Sequence, residues 1–285
     1  MNWEKAKTLT LIFLLLINVF LAVLVYYAGR KYTLSAAQEA AINKYMSRNN
    51  VSLNSAIPRN FRPMAALRMQ AFEYSATVLA LAFFGSTENV MPIPNFHGGQ
   101  TAFSRGGQML VVDGNRFIYE NTAPTDGFVL TLDNAIEICE KFVSMHENVL
   151  GKHVIDRYMI RETWDGFSIT FNGKFRNRLI TSNTLVFHVT ESGISRVAGV
   201  YNEPVGIMGE AREIISPDEA LYLFVKRMNY IYVDQEVIVN SMDIVYHLAQ
   251  VTTDSSIPLN AVPYYLFTFN NEAQVMINAY TGAVF

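Results

Sequence analysis

An uninterrupted apolar block opens the chain, and its pattern is that of a membrane-spanning helix. No charged residue occurs between Thr8 and Gly29. A helix over this block reaches about 33 Å at about 1.5 Å per residue, enough to cross a hydrocarbon core of about 30 Å. The apolar run exceeds signal-peptide length and ends at residues 26–29, Tyr-Tyr-Ala-Gly, without a small-x-small cleavage site. We therefore expect an uncleaved anchor, with residues 1–31 forming a cytoplasmic tail and a transmembrane helix.

The charges beside this block indicate its orientation only weakly. Lys5 and Lys7, less Glu4, on one side are matched by Arg30 and Lys31 on the other side. A short tail is more easily left inside the cell than a large domain. We therefore expect a single-pass protein of the cell membrane, with a cytoplasmic N-terminus and with the bulk of the chain extracytoplasmic.

One polar residue interrupts the apolar block. The helix face formed by Leu14, Asn18, Leu21, Ala22 and Val25 predicts a docking surface for another transmembrane helix. An amide in hydrocarbon gains by hydrogen bonding to a neighbouring helix, and a small residue one turn later lets the partner backbone approach. The alternative is that the Asn is simply tolerated, since hydrogen bonds within membranes average well under about 1 kcal/mol. The residues alone leave both interpretations open.

Beyond the anchor, two capping patterns predict helices. Ser35 and Gln38 have the spacing of a capping box ahead of an apolar stripe. Thr131 or Asp133 can cap a second helix that runs to about residue 147.

A third helix opening is clearer still. Ser216 is the expected cap, Pro217 occupies the first helical position, and Glu219 is placed to close a capping box. Apolar residues follow at helical spacing and predict a buried stripe of Ala220, Leu221, Phe224, Val225 and Met228.

Each predicted helix precedes segments in which apolar and polar residues alternate. A period of two is typical of half-buried antiparallel strands. Asp-Gly pairs at 113–114 and 165–166 mark hairpin turns. The predicted strands include residues 167–175, 185–190, 194–201, 237–248, 264–269 and 274–280. Helices followed by such strands predict an α+β fold, with helices on one face of antiparallel sheets.

Turn-forming residues cluster at 121–127 and predict a domain boundary. We expect two extracytoplasmic α+β domains, one over residues 32–126 and one over residues 127–285.

Composition and charge exclude some classes of function. The net charge of −3 is modest and no basic stripe appears, which argues against a nucleic-acid partner. The single cysteine, Cys139, permits no internal disulfide bond and falls on the apolar stripe of the second predicted helix. A buried, unreactive thiol is expected there.

The chain lacks a pattern of catalytic residues. Its five histidines show neither the spacing nor the carboxylate company of a zinc site. Gly-x-Ser-x-Gly and the phosphate-binding Gly-x-x-x-x-Gly-Lys are absent. We therefore expect no enzyme, no metal and no cofactor, but a binding protein. The candidates for exposed, interface-forming aromatic residues are Tyr201, Tyr230, Tyr232, Tyr264 and Tyr280, and ordinary packing within the sheet is the more frequent role of each such residue.

Both ends of the chain resemble one family. Residues 1–8, Met-Asn-Trp-Glu-Lys-Ala-Lys-Thr, and the aliphatic span with Asn-Val-Phe-Leu at 18–21 resemble the N-terminus of the YycI (WalI) family. Residues 262–265, Val-Pro-Tyr-Tyr, and 277–282, Ile-Asn-Ala-Tyr-Thr-Gly, are similar to the closing hairpin of YycI and of PepSY-like units. PepSY-like units place a Ser-Pro-x-Glu-Ala helix before their strands, as residues 216–220 do here.

The resemblance implies a non-catalytic regulator of the WalK and WalR two-component system of Gram-positive bacteria. Its membrane helix would dock against the transmembrane helices of a WalK-like sensor histidine kinase, alongside a YycH-like protein, and restrain signalling for cell-wall metabolism. Such an effect requires unequal affinity for the two states of the kinase. The implied partners are therefore the kinase, the YycH-like protein and the lipid bilayer.

Two other functions stay open. A PepSY-type extracytoplasmic binding module would restrain a peptidase or act as a scaffold at the cell wall, and its apolar span would be only a tether. An anchored hydrolase would need a cleft with converging polar groups of shifted pKa.

Overall fold

The computed structural model describes residues 3–86, 88–94, 96–122, 128–232, 235–249, 259–270 and 273–285. These residues form an α+β fold, which confirms the predicted fold class. The helices are α1 (Trp3–Arg30), α2 (Ala36–Arg48), α3 (Ala76–Phe84), α4 (Leu132–Met145), α5 (Glu147–Leu150) and α6 (Pro217–Ile231). The strands are β1 (Val51–Leu53), β2 (Met64–Ala71), β3 (Met91–Ile93), β4 (Thr101–Arg105), β5 (Gln108–Asp113), β6 (Arg116–Asn121), β7 (His153–Thr163), β8 (Gly166–Phe175), β9 (Arg178–Thr190), β10 (Gly193–Val200), β11 (Asn202–Arg212), β12 (Val237–Leu248), β13 (Leu259–Phe269) and β14 (Ala273–Asn278).

Helix α1 is long, apolar and exposed. Within its segment Trp3–Tyr27, an 18-residue window has a mean hydropathy of 2.8, and none of that window is buried against the rest of the protein. By length and composition this helix can cross a membrane and anchor the chain there. Its orientation across the membrane stays a prediction.

Capping side chains define the starts of two helices as predicted. At α2 the Ser35 side chain accepts a hydrogen bond from the Gln38 backbone, and the Gln38 side chain accepts one from the Ser35 backbone. At α4 the Thr131 hydroxyl accepts a hydrogen bond from the backbone N–H of Asn134 at 3.2 Å, so Thr131 is the cap and Asp133 lies inside the helix.

The start of α6 differs from its prediction. Ser216 is the N-cap residue and Pro217 follows at the first turn, but the Ser216 side chain makes no capping hydrogen bond. The predicted capping box with Glu219 is therefore wrong. Packing accounts for this helix instead, because the whole predicted stripe is buried and Phe224 stacks on Phe267 at a ring-centroid distance of 4.6 Å.

Fourteen strands within the described ranges form one hydrogen-bonded network. The main path runs β11-β2-β13-β12-β9-β10-β6-β5-β4-β3. Four strands lie off this path: β1 pairs with β12, β14 pairs with β13, and β8 pairs with both β9 and β7. Antiparallel pairs dominate, but β1 pairs in parallel with β12, so the sheet is mixed. The two halves of the path meet at a parallel contact between β9 and β12, where Ile180 pairs with Tyr246.

Two large hydrophobic cores lie on the two halves of the sheet. The first core combines residues 34–57 with residues 214–279, and it packs α2 and α6 against β12, β13 and β14. The second core lies within residues 74–201, under α3 and α4. A smaller cluster fills the link between the halves and consists of Leu67, Met69, Ile180, Tyr246 and Ala261.

The predicted boundary at 121–127 falls largely on residues 123–127, which lie outside the described residues. The division into domains 32–126 and 127–285 therefore stays a prediction.

Candidate functional site

The predicted docking face lies on one side of α1. Its five residues follow one another at intervals of four, three, one and three positions, which places them on a single helical face. All five are exposed: Leu14, Asn18, Leu21, Ala22 and Val25. The structure therefore places the predicted residues on one exposed helix face, away from the rest of the described fold.

The Asn18 amide retains hydrogen-bonding capacity on this face. Its Nδ2 atom donates to the backbone carbonyl of Leu14 at 2.8 Å. Thr8 and Thr10 make the same kind of bond to carbonyls one turn earlier, each at 2.9 Å. A hydroxyl has only one hydrogen to donate, whereas a carboxamide has two N–H groups and an acceptor oxygen. Asn18 can therefore bond to its own helix and to a neighbouring helix at the same time.

The connection between α1 and the rest of the fold is short and hydrogen-bonded. Helix α1 ends at Arg30, and only four residues later Leu34 is buried in the first core. The backbone N–H of Leu34 donates to the Arg59 carbonyl at 2.9 Å, and the N–H of Phe61 donates to the Tyr32 carbonyl at 3.1 Å. The residues after α1 thus belong to the fold and are hydrogen-bonded to residues 59–61.

A charged contact strengthens this connection. Lys31 Nζ lies 2.6 Å from Glu213 Oε1, and the Tyr32 hydroxyl donates to the same oxygen at 3.1 Å. The hydrogen bond to Glu213 raises the pKa of Lys31, and the hydrogen bonds from Lys31 and Tyr32 lower the pKa of Glu213. Because the Lys31 and Glu213 side chains are 63% and 66% exposed, the pair adds little to overall stability. Its effect is to orient the connection.

A surface cavity of about 680 Å³ opens beside the β7–β8 hairpin. Trp164 stands at the hairpin tip and is 95% exposed. Asp165 lies 3.0 Å from His188 Nε2 and also accepts a hydrogen bond from the Thr163 hydroxyl at 3.1 Å. The hydroxyl therefore donates to the carboxylate and not to the imidazole, so these groups lack the order of a nucleophile, a base and an orienting acid. Whether the chain is an enzyme stays untested.

Trp164 is a residue that the sequence interpretation missed. An aromatic residue directly before an Asp-Gly turn sits at the tip of a hairpin, where little of the protein can cover it. The position of Trp164 directly before this turn could therefore have predicted its exposure.

The five candidate tyrosines divide into three groups by exposure. Tyr230 is 80% exposed, as predicted. Tyr201 and Tyr264 are only 8% and 4% exposed, so they are packing residues and not exposed candidates. Tyr201 packs in the second core, and Tyr264 belongs to a small cluster on β13. Tyr232 and Tyr280 are half-buried against the first core.

Cys139 is fully buried in the second core, as predicted. Burial raises the pKa of its thiol, and the nearby Glu140 adds to this effect. A neutral, inaccessible thiol is a packing group and not a nucleophile.

Comparison with known proteins supports the fold but identifies no family. The crystal structure of an uncharacterized protein from Eubacterium rectale ATCC 33656 aligns with 82% of this chain and 90% of that chain, at 12% identity and a TM-score of 0.56. At this identity the likeness shows the fold alone. The C-terminal domain of YpeB from Bacillus megaterium, a PepSY-containing protein, aligns with 75% of this chain and 98% of that chain, at 14% identity. Its TM-score of 0.43 is too low to carry an argument. No family model and no curated protein matches the chain.

Proposed function

We propose that this chain is a non-catalytic, membrane-anchored regulator of a WalK-type sensor histidine kinase. In this proposal α1 docks on the transmembrane helices of the kinase, and the extracytoplasmic fold acts on the complex with a YycH-like protein. The hydrogen-bonded connection after Arg30 is the observation that carries the proposal. A flexible tether would only hold a domain near the membrane, whereas in this proposal the hydrogen bonds from residues 32–34 to residues 59–61 let a change in the first core reach the helix.

The resemblance of both chain ends to the YycI family supports the choice of a kinase as the partner. The exposed face of α1 supports a contact within the membrane. Regulation then requires that α1 bind one kinase state more tightly than the other. A hydrogen bond between membrane helices averages about 0.6 kcal/mol, which corresponds to roughly a threefold change in affinity. Asn18 would therefore adjust the association, and close packing at Ala22 would supply the rest.

The first test is the substitution Asn18→Leu in the full chain co-expressed with the kinase. Membrane insertion and folding are expected to be unchanged, while co-purification with the kinase falls by roughly threefold. The matched control is the double variant Asn18→Leu/Leu16→Asn, which keeps the composition but moves the amide to the opposite face of α1. It is expected to associate as weakly as the single variant. Unchanged association of Asn18→Leu would remove this residue from the mechanism.

The second test replaces residues 8–29 with an unrelated apolar helix of equal length. Loss of kinase regulation, with the extracytoplasmic fold intact, is the expected result. Full retention of function would instead favour the PepSY-type module that restrains a peptidase or acts as a scaffold at the cell wall.

A further inference from the structure

Exposed cationic residues from three distant parts of the chain meet where α1 enters the extracytoplasmic fold. Two of them directly follow the apolar span, two lie in the segment before β2, and one ends β11. We call this set the basic collar, and its members are Arg30, Lys31, Arg59, Arg62 and Arg212.

The backbone contacts around the end of α1 bring these residues together. The segment 32–34 is hydrogen-bonded to residues 59–61, which places Arg59 and Arg62 beside the end of the helix. Met64, two positions after Arg62, pairs with Arg212 across β2 and β11. The next residue, Glu213, contacts Lys31. The collar is therefore a property of the fold that no short stretch of sequence contains.

Much of the positive charge in the collar is not neutralised. Lys31 pairs with Glu213, and Arg59 pairs with Glu39 at 3.0 Å. Of the collar residues, all of which lie within the described ranges, three have no carboxylate partner: Arg30, Arg62 and Arg212. Arg30 and Arg212 lie over the rings of Tyr26 and Tyr280, at 5.7 Å and 4.5 Å from the ring centroids. Such contacts hold a guanidinium in place without cancelling its charge.

The position of the collar matches the headgroup layer of a bilayer. The uncharged apolar block ends at Gly29, and Arg30 and Lys31 follow it directly, about 1.5–3 Å further along the helix direction. The polar layer on each side of the hydrocarbon core is about 5–7 Å thick. Arg30 and Lys31 therefore fall within this layer when the span is centred, and the other three cations lie beside them.

We propose that the basic collar binds the anionic phospholipid headgroups of the leaflet that faces the extracytoplasmic fold. Guanidinium groups bind phosphate through two parallel hydrogen bonds, and arginine supplies four of the five collar cations. Each Lys or Arg near an anionic surface strengthens attachment on the order of fivefold. This attachment would hold the first core against the membrane and fix its tilt relative to α1. The inference rests on the proposed anchoring of the chain by α1.

The test uses the full chain in lipid nanodiscs and a fluorescent probe on Asn60→Cys, an exposed position between Arg59 and Arg62. The native Cys139 is fully buried and stays unlabelled in the folded protein. Quenching by acrylamide, a neutral water-soluble quencher, is compared in phosphatidylcholine discs and in discs that also contain phosphatidylglycerol. Quenching is expected to fall at least about twofold in the anionic discs and to recover in high salt.

Charge reversal tests whether the collar, and not another cause, protects the probe from acrylamide. The double variant Arg62→Glu/Arg212→Glu is expected to show equal quenching in both kinds of disc. The control variant Arg116→Glu, at the start of β6, is expected to behave like the native protein. Equal quenching of the native chain in both lipids overturns the proposal, as does protection that survives the double charge reversal. Failure of the chain to incorporate into any disc is a different result, which overturns the anchoring by α1 itself.

Discussion

Lys31 Nζ and Glu213 Oε1 lie 2.6 Å apart and join residues that are separated by 182 positions in the chain. Lys31 directly follows α1, and Glu213 directly follows β11 at the edge of the main sheet path. This contact and the neighbouring backbone hydrogen bonds join the residues that follow α1 to the rest of the fold, beside the first core.

Removing the Glu213 carboxylate should loosen this connection without unfolding the protein. For Glu213→Ala we expect an unchanged melting temperature, because the pair is exposed, but a few-fold faster hydrogen exchange at the amides of residues 31–33. Exchange measured by mass spectrometry tests this expectation. The variant Glu120→Ala disrupts another exposed pair, with Arg196, and should leave exchange at 31–33 unchanged. Equal exchange in Glu213→Ala and the native protein would show that the backbone bonds suffice.

The helix caps give a prediction with an internal comparison. Thr131→Ala should lower the free energy of unfolding by about 1 kcal/mol, because it removes the hydroxyl that accepts from the Asn134 N–H. Ser216→Ala should change it by less than about 0.5 kcal/mol, because the Ser216 side chain makes no capping bond. Denaturant titrations of the two variants measure both values. A larger loss for Ser216→Ala than for Thr131→Ala would contradict the assignment of the caps.

These caps also show what sequence patterns can predict. Apolar spacing located α2, α4 and α6, because a helix must bury one face regardless of its partner. The side-chain bond at Ser216 was not predictable in the same way. The hydrogen bond from a backbone N–H to a cap hydroxyl depends on the exact position of the helix. That position is set by the packing of the buried stripe against residues distant in sequence.

Long-range pairing accounts for the other failures. The alternation in residues 167–175 and 237–248 identified β8 and β12, but β7 and β11 were not predicted. Tyr201, between β10 and β11, and Tyr264, in β13, are covered by neighbouring elements that are distant in sequence. The face of α1 was predictable from helical spacing alone. The basic collar was not, because the fold assembles it from three segments.

Close packing between strands explains the need for a glycine at position 199. An added Cβ at Gly199 would lie 2.2 Å from Phe117 Cε1 and 2.9 Å from Leu185 Cδ2. Both neighbours are buried in the second core and cannot move freely. Gly199→Ala is therefore expected to lower the free energy of unfolding by about 1–3 kcal/mol.

A double-mutant cycle with Phe117→Leu tests the cause of this loss. The smaller side chain leaves room for the new methyl group, so Gly199→Ala should cost less in the Phe117→Leu background than in the native one. If the two costs are equal, the loss comes from the backbone at position 199 and not from contact with the ring.

A buried histidine should make the stability of the second core depend on pH. His153 is 7% exposed, its Nδ1 lies 3.1 Å from the Gly151 carbonyl, and its Nε2 has no hydrogen-bond partner. Burial lowers the pKa of His153 from 6.5 to about 4, although the bond to Gly151 opposes the shift. The unfolded chain therefore binds the proton more readily than the folded chain between these two values. Stability from this group is complete above about pH 6.5 and is lost as the pH falls toward 4.

The size of this loss is about 3 kcal/mol at pH 4, since each pKa unit corresponds to about 1.4 kcal/mol. Urea unfolding of the full chain in detergent at pH 7 and pH 4 measures it. His153→Phe removes the titrating group but keeps an aromatic ring beside Tyr201, whose centroid lies 5.4 Å from that of His153. The difference in unfolding free energy between the two pH values should be about 3 kcal/mol smaller in this variant than in the native protein. All other groups titrate in both proteins, so an identical pH dependence would mean that His153 is already protonated, or accessible to protons, in the folded state.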